Sequence, residues 1–66
     1  MVKINKLKAK IIENGLSIEQ LCAKIPINKS TFHRRMKNST FIIKDVVIIA
    51  KELSLTPEEV NDIFFS

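Results

Sequence analysis

Residues 17–37, SIEQLCAKIPINKSTFHRRMK, predict two short helices joined by a tight turn. The second helix carries most of the basic and hydrogen-bonding side chains of this stretch, namely Lys29, His33, Arg34, Arg35 and Lys37. A helix that packs through one face and presents such groups on the other suits the major groove of DNA, where base edges offer acceptors to Arg and Lys. These residues therefore indicate binding chemistry rather than catalysis.

The first of the two helices is predicted over residues 17–25. Ser17 with Gln20 three residues later is a capping-box pattern, which satisfies free backbone N–H groups at the start of a helix. Pro26 disfavours helical geometry at the residue before it and so ends the helix. The inward-facing side is expected to consist of Leu21 and Ile25, with Cys22 or Ala23 in close contact.

The second helix is predicted over residues 28–37. Asn28 is its expected N-cap, with Ser30 as the alternative. Phe32 and Met36, four residues apart, mark the buried side. The opposite side is expected to present Ser30, Arg34 and Lys37, with His33 beside them and Lys29 on the first turn.

Helical periodicity on both sides of this stretch predicts five helices and an all-α fold. The first helix is expected over residues 2–14, with Gly15 as its left-handed cap. The fourth is expected over residues 43–53, and the fifth starts at Thr56-Pro57, a cap followed by a first-position proline. The sides expected to face inward are Ile4, Leu7 and Ile11 on the first helix, Ile43, Val46, Val47, Ala50 and Leu53 on the fourth, with Ile49 at the edge, and Val60, Ile63 and Phe64 on the fifth.

A chain of 66 residues predicts a single domain, 1–66. Its one Cys and one His cannot form a structural zinc site, and they lie on different predicted helices with no third group to orient either. We therefore expect no cofactor and no enzymatic activity.

The longest unbroken apolar run, 46–50, is too short to span a bilayer, and no apolar run follows the first lysines. We therefore expect no signal peptide, no membrane association and a cytoplasmic location.

The net charge of +4 is unevenly distributed along the chain. Residues 1–44 hold ten Lys/Arg against Glu13 and Glu19, a net charge of +8, whereas residues 45–66 hold Lys51 against five carboxylates, a net charge of −4. A domain of this kind could direct its basic end toward a polyanion and keep its acidic end away from it. Ordinary solvated surface charge is the alternative.

The order of these elements resembles that of the phage repressor and Cro family of helix-turn-helix domains. Residues 16–25, LSIEQLCAKI, are similar to the first motif helix of that family, and residues 28–34, NKSTFHR, to the start of its recognition helix. Residues 49–60, IAKELSLTPEEV, are similar to its closing pair of helices. The resemblance implies a small phage or mobile-element regulator that binds double-stranded DNA as a homodimer and represses transcription.

The resemblance also implies roles for individual residues. Lys29, Ser30 and Arg34 fall where the family reads base edges, and His33 beside them is either a further DNA contact or simply exposed. The backbone N–H groups at the start of the first motif helix would point at a phosphate. The residues at or beside positions where the family grips phosphates are Ser17, Thr31, Arg35, Lys37, Asn38, Ser39 and Thr40.

Departures from the family pattern leave a second function open. Ile18 stands where Gln is common and cannot supply its hydrogen bond, and Pro26 stands in a turn that usually holds Gly. Arg35 and Met36 replace an aliphatic residue followed by a polar one. Under the alternative, the chain is an antirepressor or another protein-binding module that uses the same surface to bind a partner repressor protein.

Two hydrophobic residues predicted to be exposed, Ile48 and Phe65, are candidates for contacts in a homodimer. Single exposed hydrophobic residues are common, but two on so small a domain favour a second contact surface.

Overall fold

The computed structural model describes every residue from Met1 to Ser66 and contains five helices and no strand. In chain order the helices are α1 (Ile4–Glu13), α2 (Ile18–Lys24), α3 (Lys29–Asn38), α4 (Ile43–Glu52) and α5 (Pro57–Phe64). α2 packs against α1 and α3, and α5 packs against α1 and α4. The predicted all-α class and number of helices are confirmed, with small shifts at the helix ends.

The helix ends follow from short-range hydrogen bonds that the sequence specifies. At the start of α2, Ser17 Oγ accepts from the Gln20 N–H at 3.1 Å, and the Gln20 side chain accepts from the Ser17 N–H at 2.8 Å. Thr56 and Glu59 form the same reciprocal pair at the start of α5. Gly15, after α1, has a φ of 71°, the left-handed conformation that glycine adopts without steric penalty.

The core is formed by residues from all five helices and contains no buried polar or charged side chain. Each helix contributes two buried residues, and the N-terminal segment and the helix ends contribute three more. The full set is Val2, Leu7, Ile11, Leu21, Cys22, Ile25, Phe32, Met36, Val46, Ile49, Leu53, Ile63 and Phe64. Hydrophobic burial therefore holds the helices together, and polar groups act at the edges of the core.

The orientation of α4 differs from the prediction. Ile43 and Val47, expected to face inward, are exposed, whereas Ile48, expected to be exposed, is half-buried and packs against the core. Ile49, expected at the edge, is fully buried. The physical reason is burial: Val46, Ile49 and Leu53, spaced three and four residues apart, form the buried side of α4, and burying three such side chains outweighs one ion pair. Arg35 of α3 donates to Asp45 at 2.8 Å beside this buried side. Ile48 and Ile49 follow Asp45 by three and four residues and so share its side of the helix.

Three lysine side chains, that of Lys3 just before α1 and two within α1, form ion pairs with carboxylates of α5. Lys3 and Lys6 donate to the two oxygens of Asp62 at 2.7 and 2.5 Å, and Lys10 pairs with Glu59. These hydrogen bonds lower the pKa of Asp62, chiefly through Lys3, and lower the pKa of Glu59 while raising that of Lys10. The positive and negative groups are therefore not separated in the fold, because the basic first helix lies against the acidic last one. The expected division into a basic end and an acidic end is wrong.

The N-terminal segment connects α5 to the end of α3. The Lys3 N–H donates to the Ile63 carbonyl at 2.8 Å, and the Val2 N–H donates to Ser39 Oγ at 2.9 Å. The Val2 side chain is buried in the core. No helix of this chain combines the length and the apolar composition that crossing a bilayer requires.

Candidate nucleic-acid interface

Pairing between α1 and α5 leaves the excess positive charge in residues 17–44. This segment holds six Lys/Arg and one carboxylate, a net charge of +5, whereas residues 1–16 and 45–66 together carry a net charge of −1. Of the six cations, Arg35 pairs with Asp45, and Lys29 approaches Glu19 at 4.0 Å. The other four, which form no ion pair, are Lys24, Arg34, Lys37 and Lys44. Two of these, Lys24 and Lys44, were not singled out from the sequence.

The rotation of α3 is set by its buried side. Phe32 is fully buried and Met36 nearly so, as the sequence predicts. The Phe32 ring lies 5.4 Å from that of Phe41, which follows α3 in the chain. Asn28 caps the helix, since its side-chain oxygen accepts from the Ser30 N–H at 2.9 Å. A helix fixed in this way presents its opposite side to solvent in one defined orientation.

The five residues expected on the outer side of α3 are all exposed, which confirms their predicted orientation: Lys29, Ser30, His33, Arg34 and Lys37. Lys29 and His33 are four residues apart, as are Ser30 and Arg34, and Lys37 follows Arg34 by three, so these side chains are neighbours on the helix surface. Arg34 and Lys37 have no carboxylate partner and are free to bind an external anion. The base-edge roles of this group remain predictions.

Arg35 differs from the other phosphate candidates because its guanidinium is held within the protein. Its side chain is 30 % exposed, and the Asp45 carboxylate that it contacts is 11 % exposed. The same carboxylate oxygen accepts from the Ile42 N–H at 3.2 Å, at the start of α4. Asp45 was not among the residues predicted from the sequence, although an acid three residues after the N-cap is a known capping signal. Arg35 is therefore engaged in positioning α3 against α4.

The remaining phosphate candidates fall into two groups. The Ser17 and Ser39 hydroxyl oxygens already accept hydrogen bonds within the protein, and Thr31 is half-buried. Ser39 also has a φ of 56°, which ends α3 in the left-handed conformation. The candidates that are exposed and make no side-chain hydrogen bond are Lys37, Asn38 and Thr40. These three lie together at the C-terminal end of α3.

The two unusual residues of the α2–α3 region have structural roles. Ile18, at the start of α2, is half-buried and packs against the core. Pro26 is exposed in a turn that closes despite the missing N–H, because the Ile27 N–H donates to the Cys22 carbonyl at 2.9 Å. Burial raises the pKa of the Cys22 thiol, an effect that the charge of Lys29 opposes, so the thiol packs as a neutral group.

Of the two candidate dimer residues, only Phe65 has the expected exposure. Ile48 is half-buried and packs against the core, so it offers less surface to a partner than the sequence predicts. The hydrophobic residues that α4 exposes are Ile43 and Val47, with Ile42 immediately before the helix.

Comparison of the chain with protein-family models, with curated proteins and with solved structures gives no match.

Proposed function

We propose that this protein is a sequence-specific transcriptional regulator of the Cro/repressor type, of phage or mobile-element origin. Residues 17–37 act as its helix-turn-helix motif, and α3 lies in the major groove of duplex DNA. The observation that supports this most directly is the exposed side of α3. It presents Arg34 and Lys37 without internal partners, and it lies in the segment that carries a net charge of +5.

The chemistry of each side chain fits a role in such a complex. Arg34 and Lys29 carry the donors that pair with the O6 and N7 acceptors of guanine. The Ser30 hydroxyl donates to the Asn28 side chain at 2.5 Å and keeps its lone pairs for a donor on DNA. Lys37, Asn38 and Thr40, at the end of α3, suit phosphate oxygens, which position the protein without reading sequence. A pair of such domains on a two-fold site would double both kinds of contact, so the active species is a homodimer.

The experiment that tests this function is selection from random duplex oligonucleotides, followed by salt titration of the enriched duplex. We expect a palindromic site. We also expect log affinity to fall linearly with log salt concentration, at a slope of about −0.9 per phosphate contact, because each contact releases counterions. Absence of binding to any duplex at low salt would refute the proposal.

Two substitutions separate base reading from phosphate binding. Arg34→Ala should weaken binding to the selected site by about 1–3 kcal/mol and relax the preference at one base pair of each half-site. Lys37→Ala should weaken binding to all duplexes alike and reduce the salt slope by about one contact. Lys51→Ala is the matched control, because it removes the same charge from α4. Equal effects of Arg34→Ala on selected and random DNA would show that α3 does not read bases.

A protein-binding function, such as an antirepressor, is the alternative. It is favoured by Ile18, whose packing into the core leaves no polar side chain at that position to grip a phosphate. A basic surface without this contact could instead bind an acidic partner repressor. The two functions differ in the same titration, since an antirepressor would leave bulk duplex unbound at low salt.

A further inference from the structure

The hydroxyl of Ser30, on the outer side of α3, is held by the side chain of Asn28. Ser30 Oγ lies 2.5 Å from Asn28 Oδ1, and the Ser30 N–H donates to the same oxygen at 2.9 Å. Both residues are exposed. Because a backbone N–H can only donate, the atom that it contacts is the carbonyl oxygen of the Asn28 amide and not the amide nitrogen.

These two contacts determine the direction of the Ser30 hydroxyl proton. An amide oxygen carries no proton and only accepts, so the 2.5 Å contact requires Ser30 to be the donor. The distance is at the short end of the range for an O–H···O hydrogen bond. Because its one proton is directed at Asn28, the Ser30 oxygen offers only lone pairs to a ligand.

The capping hydroxyls elsewhere in this chain have the opposite polarity. Ser17 Oγ and Thr56 Oγ1 each accept from a backbone N–H three residues later, which leaves their own protons free to rotate. Ser30 is not itself an N-cap but lies two residues after one. Its acceptor-only hydroxyl is therefore a property of the pair that it forms with Asn28.

We propose that Ser30 reads an amino group of a base in the major groove, adenine N6 or cytosine N4, and that Asn28 determines this choice by holding the hydroxyl proton. The inference rests on the proposed function. It adds the chemical class of base that this position selects, and it makes Asn28 a residue that sets specificity through another side chain.

The major groove offers both kinds of group at every base pair. Adenine and cytosine present an amino donor, whereas thymine and guanine present a keto oxygen that only accepts. An acceptor-only Ser30 pairs with the amino group directly. To pair with a keto oxygen, it must first withdraw its proton from Asn28, and the loss of that hydrogen bond lowers affinity by about two- to tenfold.

The first test measures which group Ser30 contacts. Selection with Ser30→Ala identifies the base pair whose preference depends on Ser30. At that pair, purine replaces adenine, or pyrimidinone replaces cytosine, to remove only the amino group; thiothymine or thioguanine replaces the partner base, because sulfur is a weak acceptor. We expect loss of the amino group to weaken wild-type binding by about tenfold, and the sulfur to change it by less than about twofold. Ser30→Ala should be insensitive to both.

The second test measures the role of Asn28 with natural bases. Reversing the identified base pair puts a keto oxygen where the amino group was. The wild type should prefer the selected duplex by about tenfold, and so should Asn28→Asp, whose carboxylate accepts the same two hydrogen bonds. Asn28→Ala frees the proton and should reduce the preference to within about twofold. Thr56→Ala is the matched control, because it removes a cap from α5 and should keep the wild-type preference.

Each preference is a ratio measured within one variant, so differences in folding stability between variants cancel. A keto substitution that weakens binding more than loss of the amino group would overturn the inference, as would an Asn28→Ala variant that keeps the wild-type preference. So would Ser30→Ala with an unchanged preference at every base pair. If Asn28→Ala does not fold, the first test decides, because it needs only the wild type and Ser30→Ala.

These results leave the proposed function intact, because the loss of binding in Arg34→Ala is measured separately. Failure of the wild type to bind any duplex would refute the proposed function and the inference together.

Discussion

The ion pair between Arg35 and Asp45 allows a prediction of how firmly α3 is held against α4. An exposed ion pair contributes about 0–1 kcal/mol, whereas a charge-assisted hydrogen bond in a less exposed setting contributes about 1.5–3 kcal/mol. The 2.8 Å contact lies between these cases, because Asp45 is almost buried and Arg35 is partly exposed. We expect Arg35→Ala to lower the free energy of unfolding by about 1–2 kcal/mol. Asp45→Ala should lower it by about 1 kcal/mol more, since its carboxylate also accepts from the Ile42 N–H.

Urea unfolding of the two single variants, the double variant and the wild type forms a double-mutant cycle for this pair. The coupling energy between the two residues should be about 1 kcal/mol. A change of that size in the free energy of unfolding shifts Tm by roughly 4–8 °C for a domain of this size. Arg34→Ala is the matched control; it removes the same group where no partner exists and should change stability by no more than about 0.5 kcal/mol. If the single losses simply add in the double variant, the pair does not hold the two helices together. The orientation of α4 would then depend on its buried apolar side chains alone.

Two further predictions concern backbone strain and pH. Ser54 has a φ of 52°, so Ser54→Gly should raise Tm by relieving up to about 1 kcal/mol of strain. Ser39→Gly, at a φ of 56°, should raise Tm by less in the same thermal unfolding experiment, because this variant loses a hydroxyl that accepts a backbone hydrogen bond. The pKa values of Glu59 and Asp62 are lower in the folded state than their ordinary values of 4.5 and 3.8, so the unfolded chain binds more protons in this range. Their contribution to stability should be present above these ordinary values and lost as pH falls through the folded ones. Urea unfolding at pH 7 and at pH 3 should therefore show a smaller loss of stability on acidification for Glu59→Gln than for the wild type; an equal loss would contradict this assignment.

Features that depend on short-range interactions could be predicted from the sequence. The starts of α2 and α5 depend on Ser17 with Gln20 and on Thr56 with Glu59, and each pair spans only three residues. The outward side of α3 was predictable for a similar reason, because the buried Phe32 and the polar residues around it lie within one helix. The orientation of α4 was not predictable from its apolar pattern. Residues 46–50 are all apolar, and such a run does not define a single inward side.

The candidate site could be predicted only in part, because some of its residues have partners far away in the chain. Arg35 is paired with a carboxylate ten residues later, and Ser39 accepts from a backbone group 37 residues earlier. The lysines at the start of α1 meet Asp62, which is 56–59 residues away. Composition placed all of these cations in one basic half, since charge counted along the sequence does not show which groups neutralise one another in the fold.

The attachment of the first helix to the last one has a consequence for folding during synthesis. The Lys3 N–H bonds to the Ile63 carbonyl, and α1 packs on α5, so a growing chain cannot complete its core until α5 has left the ribosome. Before then, the apolar side of α1 lacks one of its two packing partners. α2 and α3 can form earlier, because their caps and their mutual contact need only residues 17–39. Helices of 7 and 10 residues are marginal in isolation, so we expect this basic pair of helices to become stable only when α5 arrives and the core closes.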